Sequence, residues 1–149
     1  MELIYRGTRD GMSSIDFHNK CDNKGKTICI FLIKKDNIFG GYSSIPWTSD
    51  GRDKIANDDC FLFTLTNIYN TEPTKFPYVK GRSVYHGTSN GPYFGNDDLS
   101  FYTTFSNNSN WCGFPSYYKD ILGKGKSIFT GDINSDNFKL KEIEIFKLS

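Results

Sequence analysis

The chain has 149 residues, of which 37% are hydrophobic, 16% aromatic and 23% charged, and its formal net charge is +1. This length suits one domain with a sizeable core, and so many aromatic rings exclude a disordered polymer. A near-neutral chain lacks the basic surplus that neutralises phosphates, so a nucleic-acid partner is not expected. No run has the roughly 18 apolar residues of a membrane span, and the N-terminus lacks a signal-peptide pattern, so membrane insertion is not expected.

The four cysteines, Cys21, Cys29, Cys60 and Cys112, are widely scattered and form no CxxC pair. A chain of this size can form its own core without covalent cross-links. The pattern therefore predicts reduced core thiols rather than a disulfide framework. Reduced cysteines indicate a cytosolic (cytoplasmic) or nuclear protein.

The predicted elements begin with a short apolar segment at residues 3–5 and a polar turn at 6–11. Ser13 followed by Asp16 three positions later is typical of a capping box, which predicts a helix over residues 14–21. Ile15, Phe17, His18 and Cys21 are expected to share the face of this helix that packs on the core.

The next segments favour β-structure. Residues 27–33 form a continuous apolar run that predicts a strand buried on both faces, followed by a turn at 34–37. Residues 38–42 complete an antiparallel hairpin. Gly40 and Gly41 within that second strand indicate a bulge or a close backbone approach.

Further strands are predicted at residues 60–65, 83–86 and 99–103, with connections at 50–59, 70–77, 87–98 and 106–113. Residues 117–122 fit a helix or a strand equally well. The last strand covers 138–148, and a bulge near Lys141 would reconcile a change in its apolar alternation. The fold class is mainly β (α+β): one domain over residues 1–149, a two-layer antiparallel β-sandwich with one or two short helices.

The chemistry-bearing side chains show weak patterns. His18 and Cys21, three apart on the predicted helix, would suit a shared metal ion or a thiolate–imidazole pair, but the other His and Cys residues show no ligand spacing. A structural role is therefore predicted for both, with no catalytic residue, metal or cofactor. The oxygen-rich segments 132–136 and 96–98 resemble weak cation loops, although polar turns are the favoured interpretation.

Other residues have two possible roles. Tyr42 and Trp47, with Phe39, would suit either a ligand cage or core packing. Residues 91–95, in which two glycines flank a proline and two aromatics, would suit an exposed binding surface. Glu142 and Glu144 share one face of the last strand, where Glu144 is expected to be partly buried and paired.

Six blocks of the sequence together resemble the TLDc domain, in matching order and separation. They are residues 3–11, with Arg9, Asp10 and Gly11; 17–22, with His18, Cys21 and Asp22; 38–47, with Gly40, Gly41, Tyr42 and Trp47; 61–65; 91–99, with Gly91, Pro92, Phe94, Gly95 and Asp98; and 144–146, with Glu144. Family domains usually begin with a further segment before the first block, so the resemblance implies that this chain lacks that segment.

The resemblance implies a β-sandwich and a role in resistance to oxidative stress. Several TLDc proteins bind and regulate or disassemble the vacuolar proton-pumping ATPase, and no catalytic residue or cofactor is securely established for the family. The predicted function is therefore a non-catalytic regulatory domain with vacuolar ATPase subunits as its partner. The sequence does not predict an oligomeric state.

Two alternatives to this function stay open at this stage. One is a cysteine-dependent antioxidant or hydrolytic enzyme that uses Cys21 and His18. The other is an adaptor or nucleic-acid-associated module of a larger protein. Within the resembling blocks, Asp10 is expected to accept hydrogen bonds from loop N–H groups, and Arg9 to pair with Asp22 or Glu144.

Overall fold

Two antiparallel sheets form the molecule, which we describe from a computed structural model over residues 1–33, 36–55 and 59–149. In spatial order, the first sheet contains β1 (Glu2–Arg6), β12 (Glu142–Lys147), β2 (Thr27–Leu32), β3 (Ile38–Ser43), β5 (Phe61–Thr66) and β6 (Thr74–Pro77). The second contains β11 (Asn137–Phe138), β10 (Asn110–Trp111), β9 (Leu99–Tyr102), β8 (Asn90–Phe94), β7 (Val84–Tyr85) and β4 (Asp53–Lys54). The predicted mainly β fold class is confirmed.

In the described part of the chain, three short helices accompany the sheets: α1 (Gly7–Asp10), α2 (Ser14–Cys21) and α3 (Ser127–Thr130). One or two helices were expected, and the additional helix α1 occupies the predicted turn at 6–11. Helix α2 is confirmed, since Ser13 Oγ accepts a hydrogen bond from the Asp16 N–H at 3.2 Å. The predicted core face of α2 is wrong at Ile15, which is 69% exposed while Phe17 is buried. Two residues apart on a helix are about 200° apart, so these two side chains point to opposite sides.

Aromatic rings from both sheets fill the space between them. Phe31 of β2 packs on Phe101 of β9 with ring centroids 4.3 Å apart. Phe129 of α3 lies 5.2 Å from Phe39 of β3, so this short helix contributes its ring to the same core. Such ring pairs add stability beyond the area that they bury.

The predicted hairpin is confirmed as β2 and β3, which pair from Thr27 with Ser43 to Leu32 with Ile38. Burial of β2 on both faces is wrong, because its residues alternate between buried and half-buried positions. An outer strand face without a covering layer stays partly exposed, whatever its hydrophobicity. The register irregularity of β3 lies between Ile38 and Phe39 rather than at the glycines.

Two predicted connections contain strands. Residues 70–77 include β6, and 87–98 include β8, which lies inside the second sheet. A proline has no N–H for a strand ladder, and β8 accommodates Pro92 with a register irregularity between Asn90 and Tyr93. The strands predicted at 60–65, 83–86 and 99–103 are confirmed as β5, β7 and β9, while 50–59 and 106–113 also contain the two-residue strands β4 and β10. Residues 117–122 form neither a helix nor a strand.

The predicted last strand is two strands in different sheets. Residues Asn137–Phe138 pair with β10 in the second sheet, and Glu142–Lys147 pair with β1 and β2 in the first. The apolar alternation changes because the chain crosses from one sheet to the other, not because of a bulge at Lys141. Phe138 and Ile143 are both buried, each on the core side of its own sheet.

Parts of two predicted turns lie outside the described residues. These parts are Lys34 and Lys35, which also form a short basic pair in the sequence, and residues 56–58 of the polar segment 50–59. Among the helices of the described ranges, none combines the length and apolar character needed to span a membrane.

Candidate functional site

His18 lies in a polar network at the C-terminal end of α2. Its Nδ1 is 2.7 Å from Oδ1 of Asp22, one helical turn later. Its Nε2 lies 2.9 Å from the carbonyl oxygen of Gly87 and 2.8 Å from that of Asn90. Both ring nitrogens therefore face oxygen acceptors of the fold, so His18 fastens α2 to the second sheet.

Asp22 extends this network to the segment after β3. Ser49 Oγ donates to Oδ2 of Asp22 at 2.5 Å, and the Asn23 N–H donates to the carbonyl oxygen of Trp47 at 2.8 Å. Serine, histidine and aspartate thus meet here, but the serine contacts the carboxylate and not the imidazole. A serine nucleophile needs the imidazole as its base, so this order of contacts does not form a catalytic triad.

Cys21 is completely buried on the core side of α2. Burial, assisted by the nearby carboxylate of Asp22, raises the pKa of its thiol above the ordinary value. A reactive cysteine needs a lowered pKa and access to its substrate. The structure provides neither for Cys21, and it does not support the enzyme alternative that used Cys21 and His18.

We expect the native chain to resist thiol reagents. Cys21, Cys29, Cys60 and Cys112 are all free and buried. Reaction with Ellman's reagent should therefore be slow in buffer and should reach all four thiols only in denaturant. Rapid reaction of one thiol in the native state would contradict this prediction.

A second polar group joins α1 to the edge of the first sheet. Asp10 accepts hydrogen bonds from the Arg6 N–H at 3.0 Å and from the Arg9 guanidinium at 2.8 and 2.9 Å, and these bonds lower its pKa to about 2, the Arg9 bond contributing most. Glu144 pairs with Arg6 and not with Arg9: its Oε2 lies 2.5 Å from Nη2 and 3.0 Å from Nε of Arg6. Asp10 thus accepts one backbone N–H, from the last residue of β1 rather than from a loop, and Glu144 has the expected partner. The predicted partners of Arg9 are wrong, because its neighbour Asp10 holds it.

The glycines of the resembling blocks lie where a side chain would collide. A Cβ at Gly41 would approach the Phe94 ring to 2.5 Å, and one at Gly40 would reach the carbonyl oxygen of Cys29. Gly11 has a φ of +114°, which favours glycine, and a Cβ there would meet the Asp16 carboxylate. The expected close backbone approach at β3 is confirmed.

The aromatic residues of the blocks are divided between the core and the surface. Trp47 is fully buried and donates from Nε1 to Thr27 Oγ1 at 2.9 Å, so it is a core residue. Tyr42 lies on the outer face of β3 and stacks on Phe61, with the two ring centroids 5.1 Å apart. These two residues are on opposite sides of the first sheet, so they do not form a ligand cage together.

The segment 91–95 is buried rather than exposed. Every residue of β8 is buried, including Gly91, Pro92 and Phe94. A Cβ at Gly91 would meet the Phe105 ring at 2.4 Å, because this strand packs closely against its neighbours. The expectation of an exposed aromatic binding surface at this segment is wrong.

Asp98 is the most highly coordinated carboxylate of the described residues. It is fully buried and accepts N–H bonds from Asn96, Ser116, Tyr117 and Tyr118 at 2.8–3.1 Å. Burial raises the pKa of this carboxyl group, and the four N–H groups oppose that shift. Since these amides occupy both oxygens, Asp98 holds loops together and is not arranged for a cation.

The residues described above lie within a match to a protein-family model. The TLDc domain model matches residues 1–149. The chain belongs to the TLDc domain family. No curated protein matches the chain. Membership of this family suggests a function related to oxidative stress.

The remaining candidate loop of the TLDc domain, residues 132–136, is held internally. Oδ1 of Asp132 accepts the Asn134 N–H at 2.8 Å, and Asp136 forms an ion pair with Lys126. Throughout the described ranges, no cluster of three or more His, Cys, Asp or Glu side chains is arranged to hold a metal ion. A polar turn is the interpretation that these contacts favour.

His86 is a buried residue of the TLDc domain to which sequence reasoning gave no role. Its Nδ1 lies 2.8 Å from Thr48 Oγ1, and its Nε2 is buried without a hydrogen-bond partner among the described residues. Burial, with a smaller effect of Lys54, lowers its pKa to about 4. A lone histidine without a spacing partner gives no sequence signal for this state.

Because burial lowers the pKa of His86, we expect the domain to lose stability in mild acid. Its folded-state pKa lies below the ordinary value of 6.5, so the neutral ring favours folding above pH 6.5 and this contribution is lost as the pH falls towards 4. The loss should reach about 3 kcal/mol at pH 4. Urea unfolding should show that, between pH 6.5 and pH 4, the free energy of unfolding falls by about 3 kcal/mol less for His86→Gln than for the parent chain. An equal dependence of the free energy of unfolding on pH in the two proteins would contradict the prediction.

Proposed function

We propose that this TLDc domain is a non-catalytic interaction domain that acts in oxidative-stress protection in the cytosol. We further propose that it acts by binding subunits of the vacuolar proton-pumping ATPase. The family match over residues 1–149 is the observation that carries this proposal. Vacuolar ATPase binding is a property of several members of the family.

The contacts of the block residues support a non-catalytic role. His18 is held by two backbone carbonyl groups and Asp22, Cys21 is buried, and Asp98 is occupied by four amides. Each of these groups serves the architecture of the sandwich. We therefore expect this domain to act by binding a partner protein through its surface.

A pull-down of vacuolar ATPase subunits from cell extracts tests the partner. We expect the immobilised chain to retain them above the level seen with an unrelated β-sandwich, using extracts of glucose-fed and peroxide-treated cells in parallel. An Asp98→Ala chain, whose fold we expect to be weakened, controls for non-specific adhesion by exposed apolar surface. Retention no better than the unrelated sandwich under both conditions would contradict the proposal.

A peroxide survival assay tests the non-catalytic role separately. Cells that express Cys21→Ser should survive peroxide as well as cells that express the parent chain, because the buried thiol is not a reactant. Equal abundance of the two proteins must be verified by immunoblot. Loss of protection at equal abundance would identify Cys21 as a functional thiol.

A further inference from the structure

The outer face of the first sheet carries two cross-strand rows of side chains. The β-ladder registers place in the first row Phe146, Ile28, Tyr42 and Phe61, and in the second row Glu144, Ile30, Gly40, Phe63 and Lys75. Between these rows, Gly41 faces the Phe94 ring of the second sheet. Because successive residues of a strand alternate between faces, the two rows point away from the core.

This outer face is apolar and partly open. Ile28, Ile30 and Phe63 line a groove of about 460 Å³, and Leu65 on its rim is 40% exposed. Lys75 Nζ lies 4.4 Å above the Phe61 ring, which places this cation on the same face. A contiguous apolar face with a charged border is typical of a protein–protein interface.

The second row carries Lys75 at one end and, at the other, Glu144 with its ion-pair partner Arg6 on the edge strand β1. Glu144 lies on β12 and Lys75 on β6, each two strands away from β3. A two-fold axis parallel to β3 would place β6 of one copy over β12 of the other. Lys75 then approaches Glu144 of the second copy, where the Arg6–Glu144 pair already holds the carboxylate in position.

The same axis also matches the apolar side chains. It places β5 of one copy over β2 of the other, so Phe61 and Phe63 meet Ile28 and Ile30 of the second copy. A two-fold axis perpendicular to the strands would instead place Lys75 against Lys75. The row is therefore complementary to itself in one orientation and repulsive in the other.

We propose that two copies of this chain pair face to face through the outer side of the first sheet, about a two-fold axis parallel to β3. Two sheets packed in this way have nearly aligned strands about 10 Å apart. The dimer buries the half-buried apolar side chains of the rows in both copies, Ile28, Ile30, Tyr42, Phe61 and Phe146, and adds an ion pair at each border. This proposal is independent of the vacuolar ATPase as a partner.

Sedimentation velocity over a concentration series tests the dimer. The parent chain should form dimers, and Ile30→Asp should weaken their association by about tenfold or more, because it buries an unpaired carboxylate. Ile15→Asp is the matched control, since Ile15 is exposed on α2, away from this face. Leu65→Asp, at a more open position, repeats the test if Ile30→Asp folds poorly.

Two outcomes of that series would overturn the proposal. One is a parent chain that stays monomeric at every concentration, and the other is equal weakening by Ile15→Asp and Ile30→Asp. The charged border is tested by Lys75→Glu, which should weaken the dimer, and by Lys75→Arg, which should preserve it. Unchanged association of Lys75→Glu would contradict the proposed orientation.

Cross-linking tests the position of the axis. Tyr42 lies on β3, so the two copies of this residue meet near the axis. Tyr42→Cys should form a disulfide-linked dimer under mild oxidation, whereas Ile15→Cys should not, and the native thiols are buried. A dimer that Tyr42→Cys fails to link would overturn this geometry. Because these measurements use the purified chain alone, they are unaffected by a failure to bind vacuolar ATPase subunits.

Discussion

Asp98→Ala should lower the free energy of unfolding by about 4 kcal/mol, the largest loss that we expect from a single polar substitution. The carboxylate receives four backbone N–H bonds, one from its own turn and three from residues Ser116–Tyr118. Alanine leaves these buried or half-buried amides without an acceptor. A domain has only about 5–15 kcal/mol of net stability, so this loss is a large fraction of the free energy of unfolding.

Urea denaturation of Asp98→Ala beside Asp97→Ala measures this effect. Asp97 is the neighbouring acid, and within the described residues it accepts hydrogen bonds from two hydroxyl groups, those of Ser100 at 2.9 Å and Tyr102 at 2.8 Å. We expect Asp97→Ala to cost about 1 kcal/mol, since bonds between a side chain and a half-exposed carboxylate contribute little net stability. Equal losses for the two variants would show that the amide contacts of Asp98 are unimportant.

Trp47→Ala should also cost about 4 kcal/mol, for a different reason. The indole is fully buried, and its centroid lies 5.4–5.7 Å from the rings of Phe17, His86 and Phe94. Removing it leaves a cavity between α2 and the two sheets and also leaves Thr27 Oγ1 without the indole donor. The cost therefore combines lost apolar transfer, lost ring contacts and a lost hydrogen bond.

The other tryptophan of the chain gives the matched control. Trp111 of β10 is 37% exposed, and we expect Trp111→Ala to cost under about 1 kcal/mol. Trp47→Phe should give an intermediate loss, because it keeps a ring but not the N–H donor. Thermal and urea unfolding of the three variants measure the order of these stability losses. A Trp111→Ala loss as large as that of Trp47→Ala would contradict this account of the core.

The candidate site was only partly predictable from the sequence. The local signal for Asp10 found a backbone donor because Arg6 is only four residues away. A close approach was also expected at Gly41, but its partner, the Phe94 ring of the second sheet, is distant in the sequence and could not be predicted. The partners of His18 and Asp98 could not be predicted. Gly87 is 69 residues from His18, and Tyr118 is 20 residues from Asp98, and no local pattern specifies such contacts.

The sequence by itself determined the helix at Ser14–Cys21 and the hairpin of β2 and β3, because capping and strand propensity act between near neighbours. The tertiary structure alone decided which strand face is covered. Ile28 and Phe61 are as apolar as core residues, yet they lie on the outer face of their sheet. It also decided that Phe138 and Ile143 belong to different sheets, because strand pairing depends on distant partners rather than on the alternation of side chains along the chain.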